Sequence, residues 1–115
     1  MFYPGDAATL ARDIRAYLEE PREPGFRPGF PKAVIAPHAG YMYSGSVAAN
    51  AYALLKSARG TVNRVVLLGP CHRVAARGLA LPGVAAFETP LGQVPIDEDA
   101  VALLKPVVLT RNFCA

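Results

Sequence analysis

Two short apolar runs, Lys-Ala-Val-Ile-Ala at 32–36 and Arg-Val-Val-Leu-Leu at 64–68, constrain the fold more than any other feature of the chain. Neither alternates apolar with polar residues, so neither suits a strand with one wet face. Continuous runs of this length are the pattern of strands buried on both faces of a parallel sheet. Between them Val47, Ala51, Leu54 and Leu55 supply one helical face. Ser44 or Ser46 is placed to cap that helix, which runs to about Ala58, and Gly60 stands where a C-terminal stop is expected. Strand, helix, strand is the βαβ unit, whose right-handed crossover makes its two strands parallel. The predicted class is α/β: a parallel-sheet βαβ core with flanking helices.

The remaining segments are read around that core. Leu10, Ile14, Tyr17 and Leu18 give an amphipathic helix from Asp6 to Glu20, capped by Asp6 and blocked by Pro21. The stretch 21–31 holds four prolines and two glycines and reads as a loop, with Phe26 and Phe30 as anchors for an ordered wrap. Beyond Leu68, residues 78–81 and 84–88 read as short strands with Pro82-Gly83 turning between them, and 89–92 reads as another turn. Asp97 caps a helix through Leu104, with Glu98 and Asp99 at its positive end, and Pro106 stops it. Residues 107–110 then form a third parallel strand. One domain is expected: a helix and Pro-rich loop over 1–31, then the βαβ region over 32–115. The chain stops where a further βαβ step is expected, which predicts the N-terminal portion of a larger domain, marginal and inactive alone.

With 52% apolar and 18% charged residues, the 115-residue chain is too apolar for wholesale disorder. Its longest apolar stretches fall far short of the roughly 20 residues of a membrane span. The first six residues lack the basic-then-apolar layout of a secretory signal, so a soluble cytoplasmic protein with no membrane partner is expected. Its two cysteines, Cys71 and Cys114, are then expected as thiols. The net charge of +3 is unevenly spread: seven basic and no acidic groups lie between Arg27 and Phe87, while both flanks are net acidic. Those seven are dispersed and lack interleaved aromatics, which argues against a nucleic-acid groove. A mildly cationic middle suits a small anionic ligand; an ordinary solvated surface is the plainer reading.

In open α/β sheets ligands bind beyond the carboxyl ends of the strands. The chain's two histidines both stand there: His38 in Pro-His-Ala-Gly-Tyr after the first run, and His72 in Gly-Pro-Cys-His after the second. Parallel neighbours about 4.8 Å apart would deliver both imidazoles to one rim. Imidazole is a common ligand of zinc, copper and iron, but three or more protein ligands are usual. Cys71, Glu88 and Cys114 are the candidate third ligands, though a small buried apolar group is the favoured reading of Cys71. Ser44 or Cys71 activated by a histidine is a further reading, without a fixed acid to orient the base. An anion could sit at the helix N-terminus near Ser44 and Ser46. Tyr41 and Tyr43 could offer hydroxyls to a bound ligand or pack the loop.

Three ordered motifs carry a family resemblance: Ala-Pro-His-Ala-Gly-Tyr-Met-Tyr-Ser-Gly at 36–45, Leu-Gly-Pro-Cys-His at 68–72, and Glu-Thr-Pro-Leu-Gly-Gln-Val-Pro-Ile-Asp at 88–97. With the opening Phe2-Tyr3-Pro4-Gly5, they resemble the N-terminal part of the Memo family, called AmmeMemoRadiSam system protein B in microbes. The resemblance implies a fold similar to class III extradiol dioxygenases, with a metal pocket at the strand ends. It matches His38 and His72 to two of the family's metal-site histidines and implies iron or copper, with the remaining site residues beyond Ala115. It further implies a metal-dependent redox role beside a radical SAM protein and an AMMECR1-like partner. The alternative it carries is a non-enzymatic module for an anionic or phosphorylated ligand or peptide. Cys71 stands where relatives often have serine.

Overall fold

A computed structural model of the chain describes residues 2–20, 29–72, 78–104 and 108–111, the last four by backbone alone. It is mixed α/β and divides into two compact units, Met1–Asn63 and Arg64–Ala115.

The first unit is helical. Helix α1 (Ala7–Glu19) begins as its sequence predicts: the Asp6 carboxylate accepts from the Thr9 amide at 2.7 Å, satisfying one of the amides that the first turn leaves over. That hydrogen bond holds the Asp6 carboxyl below its ordinary range. At the other end, the Lys56 ammonium donates to the Leu18 carbonyl at 2.8 Å, placing a cation on the negative end of the helix. Helix α2 (Tyr41–Ala53) packs on α1 and gives way to a 3₁₀ turn at Lys56–Ala58. Gly60 comes next at φ +80°, a left-handed stop that a Cβ would strain. Among the described residues the buried apolar ones are Leu10, Ala49 and Ala58, all in this unit.

Among its described residues the second unit holds two small ladders. Strand β1 (Leu79–Leu81) pairs in parallel with β4 (Val108–Arg111), with a register shift between Leu79 and Ala80. Strands β2 (Ala86–Thr89) and β3 (Gly92–Pro95) form an antiparallel hairpin in register Ala86 to Pro95 and Thr89 to Gly92. The Thr89 hydroxyl closes its turn, donating to the Gly92 carbonyl at 3.0 Å and accepting from the Leu91 amide at 3.2 Å. Gly92, at φ +127°, takes the backbone conformation that this turn needs. Helix α3 (Glu98–Leu104) is capped by Asp97, which accepts from the Ala100 amide at 2.9 Å and pairs with Arg64.

Asp97 therefore sits below its ordinary pKa of 3.8, chiefly through the Ala100 amide and then through Arg64. A depressed folded value means the carboxylate stabilises the helix start above about pH 4 and loses that effect as pH falls through the folded value. The Ala100 amide shift in a pH-dependent ¹H–¹⁵N spectrum is expected to titrate below 3.8; a midpoint at or above it would show that the carboxylate does not hold the amide.

Three expectations are corrected. The predicted parallel βαβ core is not confirmed by the described residues: 32–36 and 64–68 belong to no helix or sheet among them. Ile35 is 99% exposed and Val65, Val66, Leu67 and Leu68 are 75–78% exposed. A continuous apolar run becomes an interior strand only when ladders and layers flank it, and none of the described elements does so. Second, neither Ser44 nor Ser46 starts the middle helix, which begins at Tyr41 with Gly40 as its cap. Third, β3 is a strand where the sequence pattern predicts none. Strand 84–88 is seen as β2, the third parallel strand as β4, and 78–81 as β1, without the expected sheet around them. Phe30 is 40% exposed; Phe26 and the expected wrap at 21–28 lie outside the described residues.

Candidate functional site

The first motif, 36–45, runs from a segment outside helix and sheet into the first turn of α2. His38 lies two residues before the Gly40 cap and is exposed. Packing fixes the residues after the cap. The Tyr41 amide donates to the Phe2 carbonyl at 2.7 Å, and the Tyr41 ring lies against Tyr3 (centroids 5.8 Å) and edge-on to Tyr17 (6.3 Å, 82°). The Tyr17 hydroxyl donates to the Tyr41 carbonyl at 3.2 Å. Burial, then the neighbouring Tyr3 and Tyr52, pushes the Tyr41 hydroxyl above its ordinary pKa of 10.0, so it stays a neutral phenol at physiological pH.

Ser44 is buried and its hydroxyl donates to the Ala39 carbonyl at 3.0 Å, tying the loop after His38 to the helix. Neither capping nor nucleophilic chemistry is needed to account for that arrangement. The helix start offers less to an anion than the sequence suggests. The Tyr41 amide is taken by Phe2, and those of Tyr43 and Ser44 by the Gly40 carbonyl at 2.9 and 3.1 Å. Tyr43, 78% exposed, is the tyrosine of this loop whose ring stands most open to a ligand.

The second motif, 68–72, belongs to the second unit, where Cys71 is an exposed thiol and His72 is exposed. The third motif, 88–97, is the turn and second strand of the β2–β3 hairpin plus the Asp97 cap; its Glu88 is exposed in β2. Cys114 lies outside the described residues. The two histidines thus fall in different units, and each presents an exposed imidazole, a ligand of the right type for iron or copper. Among the described residues no group of three or more His, Cys, Asp or Glu side chains could hold a metal ion.

A separate apolar groove in the first unit is lined by Leu18, Tyr52 and Leu55, with Lys56 and Arg59 also lining it. No sequence signal points to it, because it forms where the end of α1 meets the end of α2. None of the candidate ligand residues lines it. No helix among the described residues is long and apolar enough to cross a membrane.

Comparison with known proteins agrees with the three motifs. A family model described as Memo-like protein matches residues 1–111. A MEMO1 family protein of Methanothermobacter thermautotrophicus is 45% identical over 103 residues, covering 85% of this chain and 37% of the relative. A MEMO1 family protein of Thermotoga neapolitana is 38% identical over 113 residues, covering 90% and 40%. The memo-1 homolog of Caenorhabditis elegans is 38% identical over 112 residues, covering 97% and 30%. The chain spans about a third of the length of these relatives, and its sequence, motif by motif and across residues 1–111, belongs to the Memo-like family.

Proposed function

We propose that this chain contributes His38 and His72 to a metal-binding pocket of a Memo-like protein, with a redox role for iron or copper. The observation that carries the reading is the placing of the chain's two histidines. Each comes after an apolar run, inside a family motif, and each imidazole is exposed where a metal could reach it. Two imidazoles leave a site unclosed, so further donors complete it from elsewhere in a Memo-like chain. When bound, such a metal supplies redox chemistry and open positions for substrate or oxygen. The residues of this chain do the rest: Ser44 and Tyr41 hold the loop after His38 against the helix, and Tyr43 offers a hydroxyl beside it. A fold like that of extradiol dioxygenases, and partnership with a radical SAM protein and an AMMECR1-like protein, belong to the same proposal.

Fe(II) and copper titrations of this chain, with elemental analysis of the products, test the reading. His38→Ala with His72→Ala is expected to lower apparent affinity by at least about tenfold, as first-sphere ligands must matter at least as much as their supporting shell. Unchanged uptake by the double variant would end it and leave an anion-binding module, recognised by salt-sensitive binding, as the reading to pursue.

A further inference from the structure

Tyr17, on α1, bears on the start of α2 at two places. Its hydroxyl donates to the Tyr41 carbonyl at 3.2 Å, and its ring lies so close to Gly45 that a Cβ there would meet two ring atoms at 2.8 Å. Residues four apart in a helix share a face, so Tyr41 and Gly45 give Tyr17 two points on one side of the first turn. One contact would let that turn roll about its axis; two contacts a turn apart set its rotation.

The rotation of that turn decides where the chain before it goes. Gly40, buried, is the cap, and the Ser44 hydroxyl ties the Ala39 carbonyl back to the same turn at 3.0 Å. The backbone just ahead of the helix is thus fixed to the turn that Tyr17 sets, and His38 is the next residue out. Packing alone does not account for a tyrosine here. The T-shaped contact with the Tyr41 ring, at 6.3 Å between centroids, uses the Tyr17 ring, and phenylalanine would make it equally well. The hydroxyl adds the bond to the Tyr41 carbonyl.

We infer that the Tyr17 hydroxyl is a positioning group for His38: through the Tyr41 carbonyl it sets the direction from which the His38 imidazole meets a bound metal ion. The inference rests on the metal reading of His38 and adds to it a residue of α1 that lies outside the family motifs.

Copper(II) titration of this chain and its variants, with urea denaturation of each, tests it. Tyr17→Phe keeps the ring and removes the hydroxyl. Lys56→Met is the control: it removes the bond from Lys56 to the Leu18 carbonyl, which ties α1 to the turn beyond the other end of α2. Tyr17→Phe is expected to weaken copper binding about fivefold, the equivalent of one net hydrogen bond, and Lys56→Met to leave it unchanged. In a His38→Ala background Tyr17→Phe is expected to weaken binding no further, since the group it positions is gone. A further loss in that background would overturn the inference, as would equal weakening by Tyr17→Phe and Lys56→Met, because helix stability would then explain the effect. Unchanged binding by Tyr17→Phe, beside a loss in His38→Ala with His72→Ala, would overturn it and leave the metal reading standing. Unchanged binding by that double histidine variant would take down the metal reading and this inference together.

Discussion

Leu10→Ala is expected to cost the first unit about 3 kcal/mol. Leu10 is 3% exposed, and the other buried apolar residues among those described are Ala49 and Ala58, whose methyl groups have no reach to fill a vacated space. Leu10 sits on α1 while Ala49 sits on α2, so the cavity would open where the two helices pack and could close only by moving one of them. Such a loss is a large part of the total stability of an ordinary domain, about 5–15 kcal/mol. Urea denaturation monitored at 222 nm reads it directly. Ile14→Ala, at a half-buried position on the same helix, should cost clearly less; equal losses would show that the helix pair is not organised around Leu10.

The second large effect is expected at Gly45. A Cβ there would lie 2.8 Å from two atoms of the Tyr17 ring, closer than carbon atoms pack. That ring is not free to yield, since its hydroxyl is bonded to the Tyr41 carbonyl and it makes a T-shaped contact with the Tyr41 ring. Alanine would recover about 1 kcal/mol of helix propensity against the clash, so it is a poor probe. Gly45→Val adds bulk without that gain and is expected to cost about 2–3 kcal/mol. In a Tyr17→Ala background the same change should cost less than about 1 kcal/mol, because the atoms it strikes are gone. A Gly45→Val loss of equal size with and without Tyr17 would place the strain elsewhere.

The features legible in the sequence are mostly those that neighbours in sequence decide. Asp6 and Asp97 cap the helices their positions predict, and Gly60 turns left-handed after the middle helix, since each effect spans a few residues. The start of α2 misleads because its partners are distant: Gly40 serves as cap while Phe2 takes the Tyr41 amide, and Ser44 turns inward to Ala39. Strand β3 is hidden because Gly92–Pro95 is exposed throughout and shows no alternation of burial; its backbone ladder to β2 defines it. The runs at 32–36 and 64–68 announce burial that only other elements can supply. For the candidate site, the order of His38 and His72 after those runs is legible, as is the family. The packing of Tyr41 between Tyr3 and Tyr17 is not, because it joins three segments far apart in the chain.

The hydrogen bond between the Phe2 carbonyl and the Tyr41 amide has a practical side for anyone producing this protein. It makes the leading residues a strap across the start of α2, beside the loop that carries His38. A purification handle fused directly ahead of Met1 would tug on that strap, and a flexible spacer, or a handle at the opposite terminus, would leave it seated. Shortening the leading segment by even a few residues would strip the amide of its acceptor and bare the Tyr41 ring to solvent on the side where Tyr3 now lies.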